Sequence, residues 1–447
     1  MRVIVVGAGE VGYHLAERLS QEHHDVVIIE RDPELAQQIQ SQLDLLVVTG
    51  NGASPAMLEK AGIERTDLLL AVTNFDEANL IACLIASRFN VELKVARVSN
   101  PEYYDRRGQE KDTRFGADLL INPEYECARE IFKLFLRMAA SDVAEFAGGR
   151  IILLGLPVHE DAPVAGRTLA EIGDTLTDHH FLTVAIDRDG TSVIPHGSTR
   201  LQPGDEVYLV AETRYLGDAY KLLGLERKRV ERVMLLGGGR VGLSLARMLE
   251  REGIHPTIIE KSRARCVELA EKLEKALVLN GDATDLDLLM QEGVEGTDGL
   301  AAVTSEDETN LLAALLTKHL GAKKVVPLLK RSEYIPLVTR VGIDAAVSPR
   351  LSTANRILQH VRGGRILQLE VMERNRAEAM ELEVPEGSRA AGKQVLDLHL
   401  PKGAIIAAVE RGEDVVIPRG DTTILAGDKL VVFALPEAIE ATAEYFN

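Results

Sequence analysis

Two short glycine-rich stretches carry the residues of this chain best suited to binding chemistry. They are Gly7-Ala8-Gly9-Glu10-Val11-Gly12 and Gly237-Gly238-Gly239-Arg240-Val241-Gly242. Each follows a Val/Ile/Leu run and opens an amphipathic stretch, and each is answered by an acidic residue, Glu30 or Glu260, eighteen positions after its last glycine. That context turns a weak motif into the Rossmann fingerprint. The first glycine permits the tight turn, the second lets the backbone approach a pyrophosphate, and the third allows close packing of helix on strand. Unpaired N–H groups and the positive dipole end of the helix then face the phosphates. A carboxylate at position 30 or 260 accepts hydrogen bonds from a ribose 2′-hydroxyl and repels a 2′-phosphate. The expected ligand is therefore NAD(H), or another unphosphorylated adenine ribose, rather than NADP.

The two loops are unequal. Arg240 stands where the first copy has Glu10, so one loop carries a cation that neutralises phosphate and the other an acid that must point away. Conversely, Arg97 ends an apolar run whose counterpart ends in Leu328. The second copy reads either as a second nucleotide pocket or as a duplicated fold that keeps its glycines for packing.

The elements that must position these loops are duplicated with them. Arg2 to Leu19 returns as Arg232 to Leu249, Ile28-Ile29-Glu30 as Ile258-Ile259-Glu260, and Ala71-Val72-Thr73 as Ala302-Val303-Thr304. Within each copy, short Val/Ile/Leu runs alternate with amphipathic stretches, the pattern of βαβ units on a parallel sheet. A smaller segment follows each copy, with hairpin-like strand pairs turning at Asp187-Arg188-Asp189-Gly190 and Arg411-Gly412-Glu413-Asp414. The expected fold is α/β, with two Rossmann-like parallel-sheet domains, each followed by a small α+β subdomain. The expected boundaries are 1–122 and 230–348 for the Rossmann-like units, and 123–148 and 349–366 for crossover helices. The small subdomains are 149–212 and 367–447, and a charged linker spans 213–229.

Composition narrows the function. A formal charge of −18 over 447 residues excludes a sequence-independent grip on nucleic acid, which needs a basic face. Cys83, Cys127 and Cys266 are too few and too scattered for a disulfide framework or a zinc cluster, so a reducing cytoplasm is expected. Met1 to Gly7 reads as a strand entering a turn rather than as a signal peptide, and no apolar run reaches the ~20 residues of a membrane span. Any membrane role must come through a partner. His159, His179, His180 and His196 share the first small segment, but the neighbours His179 and His180 point to opposite faces of a strand, and no catalytic or metal site is assigned to them.

Several runs carry a family resemblance over essentially the whole chain. They are G-A-G-E-V-G, G-G-G-R-V-G, the A-V-T-N-F-D-E-A-N run from Ala71, N-P-E-Y from Asn122, and I-P-R-G-D-T-T-I-L-A-G-D from Ile417. The chain resembles the TrkA family, the peripheral tandem RCK (KTN) proteins of bacterial and archaeal Trk potassium uptake systems. The resemblance implies NAD(H) with ATP or ADP as competing nucleotides, self-association into a dimer or tetramer ring, and attachment to the inner face of the membrane through a Trk-type potassium transporter. It places Glu30 at the adenosine ribose and counts its neighbour Arg31 among the binding residues. Asn51, Gly52, Ala53 and Ser54, with Thr73 and Asn74, line the adenine and ribose side, and Arg97 lies near phosphate. In the second copy Gly281, Asp282, Ala283 and Thr304 take the corresponding places. Glu124 matches a glutamate near the terminal phosphate or its metal, or else is an exposed acid at a helix start. Gly52 reads as replacing an acidic residue that the second copy keeps as Asp282. The resemblance implies a regulator with no catalytic residues. The alternatives are an NAD-dependent dehydrogenase, which would need a substrate domain, and a free-standing redox or nucleotide sensor.

Overall fold

The computed structural model describes residues 1–21, 23–104, 115–175, 180–225, 230–361, 366–372 and 377–446. His179 and the basic cluster 227–229 of the charged linker lie outside them.

Continuous runs of Val, Ile and Leu form central strands that are buried on both faces, as a parallel sheet between helices requires. In chain order the first copy has β1 (Arg2–Val6), α1 (Glu10–Gln21), β2 (Asp25–Glu30), α2 (Pro33–Gln42), β3 (Leu46–Thr49), α3 (Pro55–Ala61), β4 (Leu68–Ala71), α4 (Asp76–Ala86), β5 (Leu93–Arg97), β6 (Leu119–Ile121) and α5 (Pro123–Leu136). Its sheet is parallel in the order β3-β2-β1-β4-β5-β6. Pro33 and Pro55 stand at the starts of α2 and α3, where a missing N–H costs nothing, and Asp32 caps α2 by accepting from Glu34 and Leu35.

The first small subdomain follows as β7 (Asp142–Phe146), β8 (Ile151–Pro157), α6 (Leu169–Gly173), β9 (Phe181–Arg188), β10 (Thr191–Val193), β11 (Glu206–Glu212) and α7 (Leu216–Leu222). Residues 213–222, read from sequence as linker, form a helical turn and α7. They bury Leu216, Ala219 and Tyr220 in the small subdomain's core, because the apolar spacing there is that of an amphipathic helix.

The second copy repeats the first as β12 (Val233–Leu236), α8 (Arg240–Arg251), β13 (Thr257–Glu260), α9 (Arg263–Lys272), β14 (Leu277–Asn280), α10 (Leu286–Gln291), β15 (Gly299–Ala302), α11 (Asp307–His319), β16 (Lys324–Pro327), α12 (Ile335–Arg340) and α13 (Pro349–Val361). Its parallel sheet runs β14-β13-β12-β15-β16. The chain ends with β17 (Ile366–Val371), β18 (Glu378–Glu383), β19 (Ala404–Arg411), β20 (Asp414–Val416), β21 (Lys429–Ala434) and α14 (Ile439–Phe446).

Two compact units result, and each draws on both halves of the sequence. One holds Met1–Arg129, Lys330–Ser332 and Val347–Val361; the other holds Glu130–Leu329, Glu333–Ala346 and Arg362–Asn447. In the first unit α13, the helix that follows the second Rossmann copy, packs on α1 and β6 of the first copy. In the second unit the end of α5 packs on the second copy, where Phe135 covers Gly299 so closely that a Cβ there would lie 3.0 Å from its ring.

Both small subdomains form antiparallel sheets of one topology, β10-β9-β11-β8-β7 and, from the opposite edge, β17-β18-β21-β19-β20. Their inner faces share a core in which Phe146, Tyr208 and Val210 meet Ala379, Val431 and Phe433. Full burial of an aromatic such as Phe433 contributes about 2 kcal/mol. The turns expected at both hairpins are present, with positive φ at Asp189 and Gly190 in the first and at Gly412 in the second. Gly204-Asp205 and Gly427-Asp428, the same pair in each small subdomain, have a structural role. Asp205 accepts both Nε and Nη2 of Arg188 at 2.7 Å, and Asp428 accepts the same two atoms of Arg411 at 2.8 and 2.7 Å. Bidentate pairing of this kind fixes the sharp turn against β9 or β19.

Lys324, at the start of β16, is fully buried. Its ammonium donates to the carbonyls of Leu134 at 2.9 Å, Arg137 at 3.1 Å and Ala140, so all three N–H groups are used at the negative end of α5. The first copy has Leu93 in this register. Burial pushes the Lys324 pKa down to about 7, with Lys318 adding to the fall and Asp344, Glu206 and Asp142 opposing it. Between that value and the ordinary 10.5 the unfolded chain holds a proton that the folded chain does not, so stability from this residue rises with pH across the window and is lowest below about pH 7. Thermal melts from pH 6.5 to 9.5 are therefore expected to show a rising contribution that is missing in Lys324→Met. Parallel pH curves for the two proteins would contradict it.

Candidate nucleotide-binding sites

In the first copy the glycine loop leaves β1, Glu30 ends β2, Asn51-Gly52-Ala53 follow β3, Thr73-Asn74 follow β4, and Arg97 ends β5. All lie at the carboxyl edge of one sheet, around the crevice between β1 and β4 where the strand order reverses, the place where open α/β sheets bind ligands. Glu124 lies in the first turn of α5, just beyond β6 on the same edge, and Arg31 follows Glu30 as an exposed residue.

The glycines have separable physical roles. Gly7 has φ +94° and Gly237 has φ +109°, in the left-handed region that disfavours side chains. A Cβ on Gly12 would lie 1.9 Å from the Gly7 carbonyl oxygen, and one on Gly242 would lie 2.2 Å from that of Gly237. The third glycine therefore lets the helix start close against the turn itself. Gly9 and Gly239 have nothing within 4 Å of a built Cβ. Neither packing nor turn geometry requires a glycine at these two exposed positions. Gly52 is different, since its Cβ would meet Val6 Cγ1 at 2.0 Å, so its reason is packing.

The acidic residues are held in one manner in both copies. Glu30 Oε2 accepts from the Ala8 N–H at 2.7 Å and Oε1 from the Asp32 N–H at 2.9 Å; Glu260 accepts from Gly238 at 2.8 Å and Ser262 at 2.7 Å. Each carboxylate is thereby fixed beside the glycine loop with acceptor capacity remaining, as a ribose diol would require.

The loop after β3 corrects one sequence-based alignment. Asn51 Oδ1 accepts from Ala53 N–H at 3.0 Å, and Asp282 Oδ1 accepts from Thr284 N–H at 3.0 Å. Asn51, not Gly52, is thus the counterpart of Asp282, and Gly52 matches Ala283. Asp282 is held down at about 2, first by the Thr284 N–H and then by the Lys261 ammonium 3.0 Å away. Gly281 precedes it, and a Cβ there would strike Leu288 at 2.2 Å.

Asn79 organises the far side of the first site, and sequence reasoning did not assign it a role. Fully buried on α4, it accepts from the N–H and hydroxyl of Thr73 at 2.9 and 2.7 Å and donates to the carbonyls of Thr73 at 2.9 Å and Arg97 at 2.8 Å. Asn310 repeats this with Thr304 and with the carbonyl of Leu328 at 2.9 Å. Arg97 and Leu328 are therefore equivalent positions. The available signal was the Thr-x5-Asn spacing, Thr73 to Asn79 and Thr304 to Asn310, present in both copies. Arg97 Nη1 in turn donates to Asn74 Oδ1 at 2.7 Å, a contact for which Leu328 has no donor.

Among the described residues no group of three His, Cys, Asp or Glu side chains could hold a metal, and no helix is long and apolar enough to cross a membrane. His180 stacks on Tyr215, with ring centroids 3.4 Å apart, and His196 contacts Ser198.

The TrkA-N domain matches residues 3–123 and 233–349, and the TrkA-C domain matches 153–224 and 379–447. The chain is 39% identical over 455 residues to the Trk system potassium uptake protein TrkA homolog 1 of Methanosarcina mazei, covering all of both proteins. It is 35% identical over 439 residues to TrkA of Halomonas elongata, covering 97% of this chain and 96% of that one. In fold it is similar to the GsuK RCK domain, with TM-score 0.61 and 21% identity over 100% of this chain and 94% of that one. The GsuK channel bound to NAD is likewise similar, with TM-score 0.61 and 21% identity over 100% and 78%. With a TrkA-N and TrkA-C pair present twice and relatives matched from end to end, the chain belongs to the TrkA family of Trk-system potassium uptake proteins.

Proposed function

We propose that this protein is the nucleotide-sensing regulatory subunit of a Trk-type membrane potassium transporter and catalyses no reaction itself. The observation that carries the nucleotide half is the pair of glycines, Gly9 and Gly239, left open to a ligand beside fixed carboxylates Glu30 and Glu260. The potassium half follows from the family. NAD(H), ATP and ADP share an adenosine ribose for Glu30 and a pyrophosphate or its equivalent for the loop, and they differ in what lies beyond, where Arg97 and, in the family's manner, Glu124 would read the difference. Several chains would assemble into a ring on the cytoplasmic face of the membrane, and nucleotide would shift the ring between conformations by its differential affinity alone. A coupling of about 1–3 kcal/mol is enough for such a gate.

Glu30→Arg tests the first pocket. It removes both carboxylate contacts to the Ala8 and Asp32 N–H groups and puts a cation in place of the ribose acceptor. NADH affinity by calorimetry is expected to fall at least about 10-fold at one class of sites. Unchanged affinity would remove this pocket from the mechanism, and steady hydride turnover with a hydroxy acid or aldehyde would replace the regulator by a dehydrogenase.

A further inference from the structure

The second glycine loop carries a device that the first lacks. Arg265, on α9, reaches back to the loop, where its Nε donates to the Gly238 carbonyl at 2.8 Å and its Nη2 to the Gly239 carbonyl at 3.4 Å. The Nη1 group is held by Glu268 at 2.5 Å, and the side chain is less than a quarter exposed. By its place after the acidic residue, Leu35 is the first copy's counterpart. The loop that Arg265 braces has three consecutive glycines, Gly237, Gly238 and Gly239, where the first has Gly7, Ala8 and Gly9. Such a run is unusually free in the unfolded and unliganded states.

A planar guanidinium holding two successive carbonyls fixes the orientation of both peptide units, so the N–H groups on their other side are aimed in advance at an anion. Its charge is offset by Glu268, so what it gives the loop is a fixed shape, and the cation at the loop itself is Arg240 at the first position of α8. In the first copy those two positions are Leu35 and Glu10. In the first pocket the cation placed near phosphate is Arg97, at the end of β5. Because β5 lies two strands from β1 in the sheet, it is displaced by about 10 Å from the glycine turn.

Resting on the nucleotide-binding reading above, we infer that Arg265 is a positioning residue that makes the second pocket selective for the pyrophosphate of a nucleoside diphosphate. The first pocket, with its charge displaced toward Arg97, discriminates ligands by the group beyond the pyrophosphate. The second pocket accordingly prefers ADP strongly over AMP and gains little from a third phosphate. The first distinguishes ATP from ADP.

Calorimetric titration of the full-length protein with AMP, ADP and ATP tests the assignment in wild type, Arg265→Leu, Arg265→Lys and Arg97→Leu. Arg265→Leu is expected to weaken ADP about 10-fold at one class of sites while AMP affinity there changes less than about 3-fold. Arg265→Lys, which keeps the charge but cannot bridge both carbonyls, should recover only part of the loss. Arg97→Leu should weaken ATP at the other class and leave ADP at the Arg265 sites unchanged. Equal losses for AMP and ADP in Arg265→Leu, or no loss, in a protein whose wild type binds at both classes, would overturn this inference alone. A wild-type protein that binds none of the three would overturn the nucleotide reading beneath it as well.

Discussion

Gly9→Asp is expected to abolish nucleotide binding at the first pocket without destabilising the protein. Gly9 has no atom within 4 Å of a built Cβ, and its φ is not in the left-handed region, so the backbone accepts a side chain there. The carboxylate would stand at the start of α1, next to Glu10 and where the proposed function puts the pyrophosphate. Two like charges about 4 Å apart repel by about 4 kcal/mol at the effective dielectric of a protein surface, or close to 1,000-fold in affinity. Gly12→Ala is the contrasting case. Its Cβ would lie 1.9 Å from the Gly7 carbonyl oxygen, so α1 must move and thermal stability should drop together with binding. The comparison is made by calorimetry and thermal melts on both variants. A Gly9→Asp protein that binds NADH and ATP as wild type does would show that ligand does not approach this loop.

Asn79→Ala is expected to be strongly destabilising. It removes one side chain that satisfies four backbone and hydroxyl groups of Thr73 and Arg97. Leaving two or more buried groups unpaired costs roughly 3 kcal/mol. The turn after β4 and the end of β5 then lose their tie, so Asn74 and Arg97 no longer hold a fixed geometry. Nucleotide affinity at the first pocket should fall with stability, whereas Asn310→Ala should do the same for the second. A melting temperature within 1 °C of wild type for Asn79→Ala would contradict the role assigned to this residue; a loss of ~3 kcal/mol corresponds to several degrees or more.

Much of this architecture can be read from the amino-acid order because the duplication presents each pattern twice. The Val/Ile/Leu runs, the glycine loops and the acids Glu30 and Glu260 each occur at one spacing in both copies, and the structure places them on equivalent strands. Asn51 was harder to align, since a one-residue offset in the loop after β3 is invisible without the Asx turn that pairs it with Asp282. Asn79 reads as an ordinary helix residue because its importance lies in contacts to residues six and eighteen positions away. Lys324 and Arg265 could not be singled out at all. Most lysines and arginines sit in solvent, and only the fold reveals which one ends against the carbonyls of a distant helix or a glycine loop. The packing of α13 on α1, from far along the chain, likewise has no local signature.

In the proposed function nucleotide acts on potassium transport through this protein. Its most direct test is potassium flux through the cognate Trk-type transporter in proteoliposomes, measured with and without this protein across ATP, ADP and NADH. Flux is expected to depend on nucleotide only when the protein is present, and that dependence should be altered or lost with Gly9→Asp. Flux that responds equally with and without the protein, or not at all in its presence, would contradict the account.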